Sequence, residues 1–402
     1  MRISSIMMYN MAVARINDQQ SALARTQQAL STGRRINVPS DDPIGAASAL
    51  TVSGADAQND QFTSNRSGAK STLSEEDGIL QGVTELIQNV QAAVITARNG
   101  TLSDKDRGFI AEDLRGQLDQ LLGLANSKDG TGNYFFSGYQ SQTAPFSATG
   151  SSAQYSGDSG SRRLQVAAGQ QLAVGDSGQD VFQNIRSGNG TFTTSAVATN
   201  TGSGLVSAGS VVSPASLTRH DYQINFSVVA GVTTYSVLDS TTSTTLSSGN
   251  PYTSGNAISF DGLQFNVSGS PASGDQFKLA PSPNQSLFQT VSDLIKVLGT
   301  PATGVAGTAS LHNGLTAVHS ALDNALDNIL TVRASVGSRL NQLDALDAVG
   351  SDLHLQYQQT LSSLQDTDYN AALSTFSQQQ LSLEAAQKSF AKVMGLSLFT
   401  YL

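Results

Sequence analysis

Apolar side chains near the beginning of the chain recur with the period of an amphipathic helix. Along residues 1–36 they form two interleaved series with a spacing of about seven, and Gln20 and Gln27 continue one series as polar residues. This spacing places the side chains in a narrow stripe, as in the seam of a coiled coil. We therefore predict a one-sided N-terminal helix with an interrupted seam. Its stripe consists of Ile6, Tyr9, Val13, Ile16, Leu23 and Leu30.

The end of the chain, residues 366–402, carries a matching stripe. Its positions alternate in steps of three and four, and Gln380 and Gln387 interrupt it. Because two one-sided helices can cover each other's apolar faces, we predict that the terminal helices pair. The apolar residues of the second stripe are Leu373, Phe376, Leu383, Phe390 and Met394.

Further helical stripes lie inside these ends. A turn that contains Pro39 and Pro43 ends the first helix and starts the second, because proline suits the first helical position. The apolar face of the second helix continues to about Arg98, and more striped segments follow on both sides of the middle of the chain. The pattern predicts a helical rod domain formed by residues 37–130 and 284–365.

The middle of the chain, residues 131–283, has a different pattern. It contains no glutamate and a single lysine, and it is rich in Gly, Ser and Thr. Asp261-Gly262 lies between two alternating runs, which predicts a hairpin with a type I′ turn. Residues 187–210 are predicted to form a loop. A strictly alternating run predicts a half-buried strand, and it consists of Tyr222, Ile224, Phe226 and Val228. We predict a β-rich outer domain here.

Composition excludes several classes of function. Only 13% of the residues are charged, the net charge is −9, and no Lys/Arg-rich run is present, so nucleic acid is not an expected partner. The absence of cysteine excludes disulfides and zinc–thiolate sites. No continuous apolar run is long enough to span a membrane, and residues 1–10 lack the apolar core of a cleavable signal peptide.

Candidate catalytic motifs all have a simpler structural interpretation. Asp41-Asp42 is flanked by prolines and is interpreted as a helix-start signal. The sequence Gly-Asp-Ser-Gly occurs at 157–160 and 175–178, but no histidine stands in a recognisable partner motif. The metalloprotease motif H-E-x-x-H is absent. We therefore predict no catalytic, cofactor-binding or metal-binding residues. The histidines are His220, His312, His319 and His354.

Several segments resemble the bacterial flagellin superfamily, and they occur in the order of that family. They are MRISSIMMYN (1–10), STGRRINVPSDDP (31–43), RASVGSRLNQLDAL (333–346), LSSLQDTDYNAALSTF (361–376) and MGLSLFTYL (394–402). Within the superfamily, the opening MRIS, the segment GNYFFSGYQSQTAPF (132–146) and the ending SLFTYL resemble the hook–filament junction family, hook-associated protein 3.

The resemblance implies an α+β protein: a discontinuous rod of long helices, with a terminal coiled coil and an inserted β-rich domain. It implies a non-enzymatic adaptor that joins hook to filament in the bacterial flagellum and is exported unfolded by the flagellar secretion apparatus. Expected partners are further copies in a ring, hook-associated protein 1, flagellin, and an export chaperone at the C-terminal helix. The eleven apolar residues of the two terminal stripes are then the expected subunit-packing residues.

The sequence is also compatible with two alternative functions. The chain resembles filament flagellin at its ends, so it can be read as a filament subunit. It can also be read as a secreted protein that binds a surface through its β-rich domain. Periodicity alone also leaves membrane binding by the terminal helices open, because residues 1–36 are basic, although the last helix has only Lys388 and Lys392 as basic residues. The family resemblance disfavours membrane binding.

Overall fold

The structure is a computed structural model that describes residues 5–150 and 152–399. It confirms the α+β class, with long helices on both sides of a region rich in strands. Several predicted helix limits lie within a few residues of those observed. The helices are α1 Ser5–Thr32, α2 Pro43–Ala97, α3 Asp104–Ala125, α4 Gly178–Phe182, α5 Leu287–Gly299, α6 Gly304–Gln365 and α7 Tyr369–Phe399.

All strand pairs in the described residues are antiparallel. The strands are β1 Phe146–Thr149, β2 Ser152–Tyr155, β3 Arg163–Ala167, β4 Gln170–Ala173, β5 Ile185–Arg186, β6 Phe192–Ala196, β7 Leu205–Val206, β8 Ser210–Val211, β9 Tyr222–Val229, β10 Val232–Asp239, β11 Thr244–Pro251, β12 Ala257–Phe260, β13 Leu263–Ser268, β14 Gln276–Pro281 and β15 Asn284–Gln285. A short 3₁₀ turn covers Pro214–Ser216.

The chain divides into two compact units. One contains residues 1–64 and 345–402, and the other contains residues 65–344. The boundaries fall inside α2 and α6, so each of these helices contributes to both units. The division into terminal helices, rod and outer domain, with limits at 36, 130, 283 and 365, stays a prediction.

Local sequence explains where the helices of the second unit begin. Ser103 precedes α3 and forms a capping box with Asp106, in which each side chain accepts a hydrogen bond from the other residue's backbone N–H. Ser286 caps α5 by accepting a hydrogen bond from the backbone N–H of Gln289. These caps satisfy backbone donors that the first helical turn leaves free.

The long helices of the second unit carry many buried apolar side chains. The predicted face of α2 is fully buried from Leu73 to Val94. Four aromatic rings pack where α4 and α5 meet the segment before β2; the Phe146 and Phe288 centroids are 4.9 Å apart, and those of Phe136 and Phe182 are 5.2 Å apart. Other fully buried residues are Leu114, Leu121, Leu294, Leu315, Leu322, Ile329, Val336 and Leu343.

The larger sheets of the β-rich region share one apolar core. The five-stranded sheet has the order β11-β10-β9-β14-β6, and a second sheet contains β12-β13-β7 with β8 paired to β13. Asp261 (φ 45°) and Gly262 (φ 78°) connect β12 to β13, which confirms the predicted hairpin, because a type I′ turn needs positive φ at both central residues. The buried core includes Phe192, Tyr222, Ile224, Phe226, Phe265, Val267 and Phe277.

One prediction for this region was wrong. Residues 187–210 contain β6 and β7 and the first residue of β8, although their Gly/Ser/Thr composition suggested a loop. These residues form strands because they pair with β13 and β14, which lie about 60 to 90 residues later in the sequence. Local composition gives no information on such distant pairing. The predicted half-buried strand is confirmed as β9, where the side chains of the alternating run are buried up to Phe226. Its last member, Val228, is exposed, because the end of β9 extends beyond the apolar core.

Candidate assembly interface

The terminal helices α1 and α7 pair, as the two stripes predicted. The rings of Tyr9 and Phe390 pack with their centroids 5.6 Å apart. Closer to the other end of the pair, the Thr26 hydroxyl donates a hydrogen bond of 2.8 Å to the side-chain oxygen of Gln379. The chain therefore forms an antiparallel helix pair from its two ends.

The pair leaves its apolar stripe only half covered. In residues 6–44 and 351–393, where side-chain exposure is described, no residue is buried. Ile6 is 72% exposed, Tyr9 46% and Leu373 59%. The side chain of Met394 lies outside the described residues. The remaining predicted packing residues are half-buried between the helices, namely Val13, Ile16, Leu23, Leu30, Phe376, Leu383 and Phe390.

The polar positions of the seam differ from those expected. Gln20, Gln27, Gln380 and Gln387 are exposed, and the positions one residue earlier in each case lie in the seam instead. The seven-residue spacing identified one series of seam positions correctly. The seam positions of the second series follow those of the first by three residues, and not by four as predicted. Both steps occur in an amphipathic helix, so the sequence did not decide between them. The missed seam residues are Gln19, Thr26, Gln379 and Ala386.

An apolar groove of ≈ 560 Å³ runs between α1 and α7. Tyr9, Ile16 and Phe390 contribute to its wall, together with the exposed Val393. The side-chain oxygen of Gln19 is buried at this groove and has no hydrogen-bond partner among the described residues. An uncovered groove with an unsatisfied polar atom indicates that the helix pair alone is an incomplete packing unit.

Backbone hydrogen bonds tie the two terminal helices together where α1 ends and α7 begins. The N–H of Arg35 donates to the carbonyl of Gln365 at 2.6 Å, and the N–H of Thr367 donates to the carbonyl of Gly33 at 2.9 Å. Gly33 has φ 72°, a backbone conformation that favours glycine. A Cβ atom at this position would also lie only 3.1 Å from the Tyr369 hydroxyl.

The paired carboxylates of Asp41 and Asp42 have structural roles at the start of α2. Asp41 accepts hydrogen bonds of 3.0 Å from the backbone N–H groups of Asn37 and Val38, and these bonds lower the pKa of its carboxyl. Asp42 accepts a hydrogen bond of 2.9 Å from the N–H of Gly45. The interpretation as a helix-start signal agrees with this geometry.

Neither Gly-Asp-Ser-Gly segment forms the arrangement of a serine hydrolase. Asp158 accepts hydrogen bonds from the backbone N–H groups of Tyr139 and Gly160 and so stabilises a turn. Ser177 caps α4 by accepting a hydrogen bond of 3.2 Å from the N–H of Asp180. Within the described residues, the hydrogen bonds of Ser177 include none to a histidine.

One group of side chains in the described residues has ligand atoms close enough to hold a metal ion. Asp56, Asp60 and His354 place one ligand atom each within 4.8 Å of one another. The His354 Nδ1 lies 2.8 Å from Asp56 Oδ1, and the Gln358 amide donates to the other Asp56 oxygen at 2.9 Å. These hydrogen bonds already join α2 to α6, which is a sufficient explanation for the group.

Two further properties bear on the setting of this interface. Within the described residues, none of the helices combines the length and apolar content needed to cross a membrane. The family model for the bacterial flagellin N-terminal helical region matches residues 3–141, which include α1, α2 and α3. This match confirms the flagellin-like character of residues 3–141.

Comparison along the whole chain decides between the members of the superfamily. The chain is 34% identical to flagellar hook-associated protein 3 of Escherichia coli K12 over 400 residues, covering 99% of both proteins. The corresponding Salmonella typhimurium protein is 32% identical over 99% of each chain. The chain belongs to the hook-associated protein 3 family.

Solved structures of this family have the same fold. The Legionella pneumophila hook-associated protein 3 aligns with a TM-score of 0.73 at 34% identity, over 78% of this chain and 98% of that one. Xanthomonas campestris FlgL aligns with a TM-score of 0.72 at 29% identity, over 77% of this chain and 99% of that one. By contrast, the similarity to Escherichia coli flagellin covers 26% of this chain. Membership in the hook-associated protein 3 family is therefore supported over the filament-subunit alternative.

Proposed function

We propose that this chain is a structural adaptor that joins the hook of the bacterial flagellum to its filament. The observation that carries the proposal is the similarity to hook-associated protein 3 along 99% of the chain, which includes the β-rich middle. A relative of the same fold is described as the flagellar junction protein of Legionella pneumophila. Similarity to flagellin, the alternative, is confined to about a quarter of the chain.

The terminal helix pair is the proposed site of assembly. None of its side chains in the described parts of the pair is buried, and the pair leaves an apolar groove. Apolar area that one subunit leaves in water is covered when subunits pack side by side, and each buried Leu, Ile or Phe contributes about 1.5–3 kcal/mol. We infer that copies of this chain form a ring in which the terminal helices of neighbours complete each other's packing.

The two sides of such a ring require different partners. Two tubes made of different subunits share no self-complementary contact, so an adaptor must present one face to each. We propose hook-associated protein 1 on the hook side and flagellin on the filament side. Export through the flagellar secretion apparatus, with a chaperone on the C-terminal helix, belongs to the same proposal.

A strain without this gene tests the proposal. We expect electron microscopy to show hooks without filaments, and we expect an immunoblot of the medium to contain abundant flagellin, because exported flagellin would find no matching surface. Complementation with the wild-type gene should restore filaments and provides the control. Normal filaments in the deletion strain would contradict the junction function.

Immunogold labelling in wild-type cells separates the alternatives. An adaptor places label at one spot, at the distal end of the hook. Label along the whole filament would instead identify a filament subunit. A surface-binding protein would lose its ligand on removal of residues 131–287, while assembly of the flagellum continued.

A further inference from the structure

Glu76, in the part of α2 that belongs to the second unit, has an unusual environment. Its side chain is 0% exposed, although it carries a carboxyl group. One oxygen, Oε1, accepts a hydrogen bond of 3.1 Å from the backbone N–H of Asp176. The other, Oε2, is buried without a hydrogen-bond partner among the described residues. A buried ionised carboxylate normally has several donors, so this environment suits the neutral form better.

The cation that acts on the pKa of Glu76 is Arg339, and it already has other partners. Arg339 of α6 forms an ion pair with the carboxylate of Asp176, and it also donates a hydrogen bond of 3.2 Å to the carbonyl of Ala173. The cluster therefore contains one guanidinium and two carboxyl groups, of which Asp176 has the direct contact with the guanidinium.

The neighbouring charges on α2 lie outside this cluster. Glu75 is exposed, and Asp77 pairs with Arg333 at 2.9 Å. The charged groups that act on Glu76 are thus Asp176 from the segment between β4 and α4, and Arg339 from α6. Desolvation is the largest influence and raises the pKa of Glu76 to about 8; the negative charge of Asp176 adds to the rise and Arg339 opposes it.

We propose that Glu76 is a proton-dependent latch that holds the segment between β4 and α4 against helices α2 and α6. In its protonated form, the side chain fills a dry site and accepts the Asp176 N–H without placing a second negative charge beside the Asp176 carboxylate. Once ionised, it faces that carboxylate across a site with a single guanidinium. The contact then becomes repulsive, and the segment loosens.

The segment held by this latch supports the aromatic core. Ser177 follows Asp176 and caps α4, which carries Phe182. The ring of Phe182 packs on Phe146, with 5.4 Å between the centroids. Loosening at Asp176 therefore reaches the aromatic cluster within six residues. The β3 strand keeps its own attachment to α2 through Arg66, which donates to the Val166 carbonyl at 3.0 Å, so release is local.

The sign of the pH dependence follows from the two pKa values. Glu76 has a pKa near 4.5 in an unfolded chain and about 8 in the folded one, so the folded chain binds one more proton in this window. Stability is therefore greatest at the acidic side of the window and falls as the pH rises from about 4.5 to about 8. A protein without this carboxyl should lack that part of the pH dependence.

Glu76→Gln tests the latch, because glutamine has the shape of the protonated side chain and no charge. Urea unfolding of the full chain should show, for wild type relative to Glu76→Gln, an unfolding constant that increases about tenfold per pH unit inside the window. The exposed neighbour Glu75→Gln is the matched control and should behave like wild type. Parallel pH profiles for wild type and Glu76→Gln would overturn the proposal.

A direct titration of the wild-type protein keeps the test decisive if Glu76→Gln does not fold. In a ¹³C NMR titration of the glutamate side-chain carboxyls, one resonance should have a midpoint near pH 8. Asp176→Asn removes the facing negative charge and should lower that midpoint. If every glutamate carboxyl titrates below about pH 5.5, Glu76 is ionised at neutral pH and the latch does not exist.

Discussion

The terminal helix pair and the core of residues 65–344 use apolar residues in opposite ways. In the core, side chains such as Leu73, Leu114 and Ile329 are 0% exposed. Among the described side chains of α1 and α7, none is buried, and several large apolar groups are more than half exposed. The extent of side-chain burial in the core is typical of a unit that folds alone. The exposed apolar side chains of the helix pair are typical of an interaction surface.

The difference assigns stability and assembly to separate parts of the chain. Ordering backbone opposes folding by about 1–2 kcal/mol per residue, and only extensive burial compensates for it. The core has that burial within a single chain, whereas the helix pair acquires it from neighbouring subunits in our proposal. Changes in the core should therefore alter unfolding, and changes in the pair should alter incorporation into the flagellum.

The largest expected effect is the removal of both ends by a protease. Limited proteolysis of the dilute monomer should produce a stable core of roughly residues 40–365, because the outer helices are too little buried to resist cleavage. Mass spectrometry of the fragments identifies the limits. Resistance of the full-length monomer under the same conditions would show that the helix pair is stable without neighbours.

Phe288→Ala should lower the free energy of unfolding by about 3–5 kcal/mol, because it creates a cavity in the aromatic cluster. Phe288 is 1% exposed. Urea unfolding followed by circular dichroism measures the change. Phe109→Ala on α3, where the ring is 62% exposed, is the matched control and should change stability by no more than about 0.5 kcal/mol. Equal effects of the two substitutions would contradict the assigned core.

Ser103→Ala should destabilise the second unit by about 1 kcal/mol, because it removes half of the capping box of α3. Ser103→Thr preserves the hydroxyl and should recover most of the loss. Both are measured as shifts in the urea midpoint. If alanine and threonine behaved alike, the hydroxyl would have no role in capping.

Thr26→Val should have the smallest effect on the monomer, within about 0.5 kcal/mol, although it removes the hydrogen bond to Gln379. The bond joins two helices that remain half exposed, so water can replace it. Thermal unfolding of the purified monomer measures this change. A loss comparable to that of Phe288→Ala would show that the terminal pair contributes to the stability of the core.

The parts of the fold that were predictable are those with local signals. The stripe on α2 and the turn at Asp261-Gly262 depend on residues close together in sequence, and both were identified. The cap at Ser103 is a local signal of the same kind. Strands β6 and β7 were missed because their stability comes from distant partners rather than from their own composition.

The sequence predicted where the assembly interface lies, but not which polar residues of each helix face the seam. The heptad series found the helix pair, yet the polar seam positions are Gln19 and Gln379 rather than their neighbours. A helix admits steps of three and four equally, and only the packed partner selects one. Glu76 lies on the buried face of α2 between Leu73 and Leu80, so the helical period gave a signal for its burial that was missed. The charged groups that act on it, Asp176 and Arg339, are distant in sequence and gave no local signal.

The most direct test of the separation between stability and assembly compares a seam residue of α7 with an exposed residue of the same helix. Phe390→Asp places a charge between α1 and α7, whereas Gln387→Asp places the same charge on the exposed side of the same helix. Thermal unfolding of each purified variant should be measured beside immunogold labelling of flagella in a complemented deletion strain. Secretion into the medium is measured in parallel, so that a failure of export is recognised.

We expect Phe390→Asp to unfold at a temperature near that of wild type and to be secreted, but to be absent from the hook end. Gln387→Asp should be incorporated normally. Global destabilisation of purified Phe390→Asp, or its normal incorporation into flagella, would contradict the assignment of stability to the core and assembly to the terminal helices.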